Sequence, residues 1–267
     1  MVDYEDIIYD VTDRVATVTI NRPKSLNAFT RTTLLEMVEA ISKAGADPQV
    51  GVIVITGTGE RAFCAGGDVN SEADGALENR GEEDRGLENY VKDVYAAIRQ
   101  SLKPTIARVN GYAIGGGNHM AYFCDFTIAS EAAIFGQNGP RVASPAQGWI
   151  VSYLVRVLGA KRAREMWFLC RRYTAAQALD WGLVNAVVPA ADLDTEVRRW
   201  ADELLSMSPT VLKLLKMSFD EEYAPMRDYQ EKDYLPIVKP DFFASGEQAE
   251  GASAFLEKRS PNFDVWR

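Results

Sequence analysis

Residues Val50 to Thr56 read VGVIVIT, a near-continuous apolar run, and this segment constrains the fold more than any other. It is of strand length, rich in β-branched residues, and lacks the polar alternation of a half-exposed strand. A strand of this kind is buried on both faces, which belongs to a mostly parallel sheet covered by helices. Val15-Ala-Thr-Val-Thr-Ile20 is a second β-branched strand, stopped by Asn21-Arg22-Pro23. Thr105–Val109 and Phe126–Ala129 read as further strands. Between them, Leu34, Leu35, Met37, Val38 and Ile41 keep helical spacing over Thr32–Ala44, with Gly45 as the stop. Tyr90–Gln100 and Asn118–Cys124 resume that spacing. Helical patterning then dominates: Trp149–Leu158, Lys161–Cys170, Ala175–Trp181, Asp192–Met207, and the remainder to Phe255 with a break around Pro236 to Pro240. The expectation is an α/β fold, with a repeated strand–strand–helix core over residues 1–200 and a helical C-terminal part over 201–267.

With 267 residues the chain can bury roughly 70–75% of its unfolded surface, so the fold needs no disulfide or metal staple. The formal net charge of −9 makes it a poor partner for nucleic acid or an anionic membrane. Cys64, Cys124 and Cys170 are few, odd in number and widely spaced, which suggests reduced thiols and no zinc site. The acidic start MVDYEDIIYD lacks the basic region of a targeting peptide, and no apolar run approaches the roughly 20 residues of a bilayer span. Together these lead us to expect a cytoplasmic protein. Residues 69–89 are polar, acidic and glycine-containing, the composition of a mobile surface loop.

Several chemistries drop out. Gly57-Thr-Gly59-Glu-Arg-Ala62 imitates a dinucleotide fingerprint, but no helical period follows it. No Walker lysine follows a glycine-rich loop, no G-x-S-x-G elbow occurs, and the single histidine excludes a multi-histidine metal centre. What remains are two glycine clusters after apolar strands, Ala65-Gly66-Gly67-Asp68 and Gly115-Gly116-Gly117. Taken singly, each reads as a tight turn needing φ > 0. Two backbone N–H groups converging on one point would instead form an oxyanion hole, and the second cluster opens a helix whose dipole favours negative charge. His119 follows at that helix N-terminus, where the dipole disfavours the imidazolium.

In order along the chain, Asn21-Arg-Pro…Asn27-Ala-Phe29, Ala62-Phe-Cys-Ala-Gly-Gly-Asp68 and Val109-Asn-Gly-Tyr-Ala-Ile-Gly-Gly-Gly117 resemble the crotonase (enoyl-CoA hydratase/isomerase) superfamily. The resemblance runs to Phe255-Leu-Glu-Lys-Arg-Ser-Pro-Asn-Phe263. It implies a ββα-spiral core, a helical C-terminal trimerisation region, and a homotrimer or hexamer. It also implies an acyl-CoA substrate, with coenzyme A as part of that substrate and no tightly bound cofactor. The N–H groups of Gly67 and Gly116 would hold the thioester oxygen. Lys24, Ala28, Ala65, Gly66, Asp68, Gly115 and Lys258 would line the CoA and substrate site.

Ile134-Phe-Gly-Gln-Asn-Gly-Pro-Arg-Val142, Ala163-Arg-Glu-Met-Trp-Phe-Leu-Cys170 and Ala178-Leu-Asp-Trp-Gly-Leu-Val-Asn185 are most similar to the ketocyclohexanecarboxyl-CoA hydrolase and dihydroxynaphthoyl-CoA synthase group. Those enzymes break or make a C–C bond beside a CoA thioester. Departures accompany the matches. Where hydratases carry two glutamates, this chain has His119 and Gly139, so simple hydration is not expected. The group's Ser-x-Asp reads Ser144-Pro-Ala146, keeping the serine and losing the carboxylate, and its C-terminal tyrosine corresponds to Phe243. In the bicarbonate-using synthases the equivalents of Gln137, Gly139 and Trp167 hold a small anion that serves as base. The resemblance thus leaves two candidate bases, His119 and bound bicarbonate, with Ser144 as the partner of the substrate ketone. Packing roles for Gln137, Trp167 and His119 are the alternative, since buried polar side chains normally find structural partners.

Overall fold

A computed structural model describes residues 4–69, 87–221 and 238–266. Most of the expected acidic loop, residues 70–86, and the segment 222–237 lie outside the described residues.

The strands form two sheets. The larger has the order β1 (Ile7–Thr12), β2 (Val15–Ile20), β3 (Val52–Gly57), β5 (Thr105–Val109), β7 (Phe126–Ser130) and β10 (Ala186–Val188). It is parallel except for the β1–β2 hairpin. The smaller sheet has the order β4 (Ala62–Cys64), β6 (Tyr112–Ile114), β8 (Ile134–Gly136) and β9 (Arg172–Thr174). Three successive strand pairs, β3–β4, β5–β6 and β7–β8, each place the first strand in the large sheet and the second in the small one. Helices return the chain after the first two pairs, α2 (Leu87–Gln100) and α3 (Gly116–Phe123). This is the expected ββα spiral.

All six residues of β3 are buried, as its apolar run predicts. Ile53 and Ile55 face the main core with Val18 and Ile20 of β2, Ala107 and Val109 of β5, and Leu34, Met37 and Ile41 of α1 (Arg31–Ala46). Val52 and Val54 face the opposite side, where a second core forms with Ile106, Ile128 and the apolar stripe Leu193, Val197, Ala201 of α8 (Leu193–Leu205). Period-two alternation therefore divides one strand between two cores. α1 begins one residue before the expected Thr32, capped by Thr30, whose side chain accepts from the Thr33 N–H in a reciprocal capping box, and it runs one residue past Gly45, the expected stop.

The short strands β4, β6, β8 and β9 escape a periodicity reading because three residues carry too little alternation to register. They matter most for the site, since the glycine clusters lie at the C-terminal ends of β4 and β6. Two further helices, α9 (Pro209–Glu221) and α10 (Glu247–Leu256), follow the core. Lys216 of α9 is buried and reaches Asp125 Oδ2 at 2.7 Å and the Lys103 carbonyl at 2.8 Å, pinning α9 to the spiral. α10 packs on α4 (Gly139–Val142) so closely that a Cβ on Gly251 would lie 2.5 Å from the Val142 carbonyl carbon. Among the described residues no helix is long and apolar enough to cross a membrane.

Candidate active site

The loop after β2 is built around Asn27. Leu26 and Asn27 both take left-handed backbone, with φ of 53° and 56°. Asn27 tolerates it by making three bonds: its Nδ2 donates to the carbonyls of Thr58 at 3.0 Å and Ala62 at 2.8 Å, and its Oδ1 accepts from the Arg22 N–H at 3.1 Å. Arg22 then donates to the Ala28 carbonyl and pairs with Asp68 at 3.0 Å and Asp6 at 3.3 Å. Ala28 and Asp68 are thus held by one guanidinium, while Lys24 stands exposed on the turn Pro23–Ser25.

Phe29 N–H donates to the Gly66 carbonyl, and Asp68 N–H donates to the Phe29 carbonyl, both at 2.9 Å. Because alternate residues of an extended chain point opposite ways, the Gly67 N–H between them faces away from Phe29. Ala65 N–H is used up on the Leu26 carbonyl at 3.1 Å. Gly66 itself has φ +97°, and a Cβ there would meet the Ile114 carbonyl oxygen at 3.1 Å and the Gly116 nitrogen at 3.4 Å. The glycine lets the two clusters meet and leaves the face of the Gly116 N–H uncovered.

Gly115 (φ +56°) caps α3, donating to the Gly136 carbonyl at 2.9 Å and accepting from His119 N–H at 3.0 Å. The N–H groups of Gly116, Gly117 and Asn118 therefore have no partner within the helix, the ordinary state of a first turn. Gly117 abuts the Cys64 carbonyl, where any Cβ would collide. Gly67 and Gly116 thus lie on adjoining turns and both are half-buried. Cys64 behind them is no nucleophile, because burial pushes its thiol up to about 12.

His119 is buried and saturated. Its Nδ1 lies 2.9 Å from the Tyr95 hydroxyl, and its Nε2 lies 2.9 Å from Gln137 Oε1. Burial pushes its pKa down to about 4, against a smaller upward pull from Gln137, so the ring is neutral at physiological pH. Trp167 packs on it with ring centroids 5.1 Å apart. Among the described residues, Gln137 Nε2 and Trp167 Nε1 are both buried without a hydrogen-bond partner. Such orphan donors are rare and mark either strain or a place for a ligand.

Gly139 and Trp167 line a cavity of about 460 Å³ with Ser144, Ala146, Phe242 and Glu247. Gly139 is a glycine for a local reason: the Ser144 N–H closes on its carbonyl at 3.0 Å, and a Cβ would lie 2.7 Å from the Ser144 oxygen. Space in the cavity therefore coexists with a wall too tight for a side chain at 139 in this loop conformation. Lys258 stands exposed beyond α10, in left-handed backbone (φ 56°). Three side chains carry no signal of their role in the sequence. Tyr95 is an inward position of an amphipathic helix, Glu247 lies beside no motif, and only the fold reveals the ion pairs of Arg22 within Asn21-Arg22-Pro23.

The two glycine turns, the second of which opens α3, adjoin at the ends of two strands of the small sheet. The enoyl-CoA hydratase/isomerase family profile matches residues 10–265, and the chain belongs to that family, within the crotonase superfamily. An enoyl-CoA hydratase from Mycobacterium avium subsp. paratuberculosis K-10 superposes with a TM-score of 0.80 at 29% identity, over 98% of this chain and 99% of that one. An enoyl-CoA hydratase/isomerase from Xanthobacter autotrophicus Py2 gives 0.81 at 29%, over 97% and 100%. A monofunctional enoyl CoA isomerase from M.smegmatis gives 0.68 at 30%, over 81% and 93%. The chain is thus a crotonase-family acyl-CoA enzyme, of a family that acts on CoA thioesters without a tightly bound cofactor.

Proposed function

We propose that the protein hydrolyses a C–C bond of a cyclic β-oxoacyl-CoA through a thioester enolate held by the Gly67 and Gly116 N–H groups. The observation carrying this reading is the pairing of a two-donor hole with a site that lacks both hydratase carboxylates, His119 and Gly139 standing in their places. Stabilising an enolate needs the hole; adding water across a double bond needs an acid and a base as well.

Water adds its oxygen to the ring ketone, whose oxygen accepts a hydrogen bond from Ser144. The bond from that carbon to the α-carbon breaks, and its electron pair moves through the α-carbon onto the thioester oxygen. There the charge develops between Gly67 and Gly116, where two preorganised donors act most strongly. Return of a proton to the α-carbon leaves a ring-opened carboxylic acid with the thioester intact. Ala28, Ala65, Gly66, Asp68 and Gly115 shape the channel, and Lys24 and Lys258 supply cations for the CoA phosphates.

Bicarbonate fits the chemistry of the donor set, since Gln137 Nε2 and Trp167 Nε1 are buried donors without a partner among the described residues. Gln137, Gly139 and Trp167 would hold the anion, which when bound supplies the carboxylate-type base the chain lacks. This same observation favours a second reading, the intramolecular Claisen direction, in which deprotonation comes first and the same enolate forms.

A homotrimer or hexamer is part of the proposal. Val211, Leu214 and Leu215 of α9 are exposed large apolar side chains, a surface suited to a second copy. The test of function is mass spectrometry of products from a small panel of cyclic β-oxoacyl-CoAs and acyclic precursors of such rings. A product heavier than its substrate by one water supports hydrolysis. Ring closure of an acyclic precursor supports the second reading, and no turnover of any acyl-CoA overturns both.

A further inference from the structure

Tyr95, His119 and Gln137 form a buried hydrogen-bonded chain directly behind the Gly116 turn. Tyr95 and Gln137 are fully buried, and His119 nearly so. An amide oxygen only accepts, so the 2.9 Å contact to Gln137 Oε1 puts the imidazole proton on Nε2. The lone pair is then on Nδ1, which takes the Tyr95 hydroxyl proton at 2.9 Å, a closer approach than the 3.3 Å from that hydroxyl to the Gly116 carbonyl. His119 therefore has no free lone pair to offer a substrate. With its oxygen committed to the histidine, the Gln137 amide must turn its N–H2 away, and that nitrogen is the orphan donor.

We propose that Tyr95 and His119 are positioning residues which hold the imidazole as its Nε2–H tautomer and so lock the Gln137 amide as a donor toward a small planar oxyanion. The identity of that anion rests on the bicarbonate reading above; the lock does not. The opposite arrangement is chemically complete: Nδ1–H donates to the Tyr95 oxygen, the hydroxyl turns to Gly116, and Gln137 donates to Nε2. It would present Gln137 Oε1 to the anion and repel it. The shorter approach of the Tyr95 hydroxyl to Nδ1, 2.9 Å against 3.3 Å to the Gly116 carbonyl, favours the first.

The chain has one histidine, so ¹⁵N-labelling of histidine gives a single pair of ring-nitrogen signals and reads the tautomer without assignment. The expected wild-type state is Nε2–H. Tyr95→Phe should move or average the proton onto Nδ1. It should also raise the bicarbonate concentration for half-activation by at least about tenfold, the worth of one hydrogen bond to a charged group, with the KM for acyl-CoA unchanged. Gln137→Glu keeps an acceptor for Nε2–H, so the tautomer should persist while the bicarbonate response is lost. An Nδ1–H wild type overturns the lock, as does a Tyr95→Phe protein with unaltered tautomer or unaltered bicarbonate response. A Gln137→Glu protein that still responds to bicarbonate also overturns it. A wild type without any bicarbonate response, yet with the Nε2–H ring and its Tyr95 dependence, removes the anion reading and supports the lock.

Discussion

Gly66 lies backbone to backbone against Gly116: a Cβ built on Gly66 would stand 3.4 Å from the Gly116 nitrogen. Two segments fifty residues apart in sequence therefore share one small volume, and neither tolerates a side chain there. The close approach sets two glycine turns side by side, as the proposed two-donor hole requires.

Gly116→Pro removes one of those donors at a helix position where proline is otherwise accepted. Loss of a single oxyanion donor costs about 10²–10³ in kcat. Steady-state kinetics should show that loss, with circular dichroism checking the fold, since a Cβ at 116 meets the Phe29 ring at 2.5 Å. A folded variant with wild-type turnover would contradict the placement of the hole.

Crotonyl-CoA hydration should be at background. General acid–base groups contribute about 10²–10⁴ each, and positions 119 and 139 supply neither carboxylate. Spectrophotometric loss of the enoyl double bond at ordinary enzyme rates would refute this, and would also bring the function in line with the hydratase neighbours.

The base should be separable by rescue. Degassed buffer should abolish activity and added bicarbonate restore it. His119→Ala should respond to excess bicarbonate, because the histidine orients the site and carries no proton to or from substrate. If instead His119→Ala loses about 10²–10⁴ in rate at every bicarbonate concentration, the imidazole is the base.

Stability should fall in mild acid. His119 titrates near 6.5 when unfolded and at about 4 when folded, so between those values the unfolded chain binds the extra proton. The contribution is fully present above about pH 6.5 and lost as pH falls toward 4, amounting to on the order of 3 kcal/mol. Urea unfolding should show the drop across this window, and His119→Gln should flatten it. An unchanged slope in the variant would mean that other groups dominate.

Light scattering should give three or six times the 29.6 kDa chain mass. Lys258→Ala should raise the KM for the acyl-CoA and spare kcat, because a phosphate contact far from the reacting carbon binds ground and transition states alike. A fully active monomer would defeat the assembly, and an unchanged KM would defeat the role of Lys258.

Much of the fold is legible in the chain. β2 and β5 are marked at their observed limits, and β3 and α1 are displaced by a residue or two. The two glycine clusters also announce themselves, since left-handed or crowded backbone admits few residue types. These are local properties: hydrophobic period, turn chemistry and the absence of a Cβ are written over a few consecutive residues.

The role of His119 was not legible. Its position at a helix N-terminus suggested a neutral base, and the ring is indeed neutral through burial. Yet both ring nitrogens already have partners, Gln137 and Tyr95, the latter a residue 24 positions earlier that reads only as core. The cavity wall is similar: Glu247 and Phe242 reach Gly139 and Ser144 because α10 folds onto α4. Sequence alone determined which segments must be buried and where side chains are forbidden, because those demands act between near neighbours. Which polar atoms meet was decided only by the tertiary packing. Hydrogen-bond partners are chosen by distance in space, and distance along the chain carries almost no information about it.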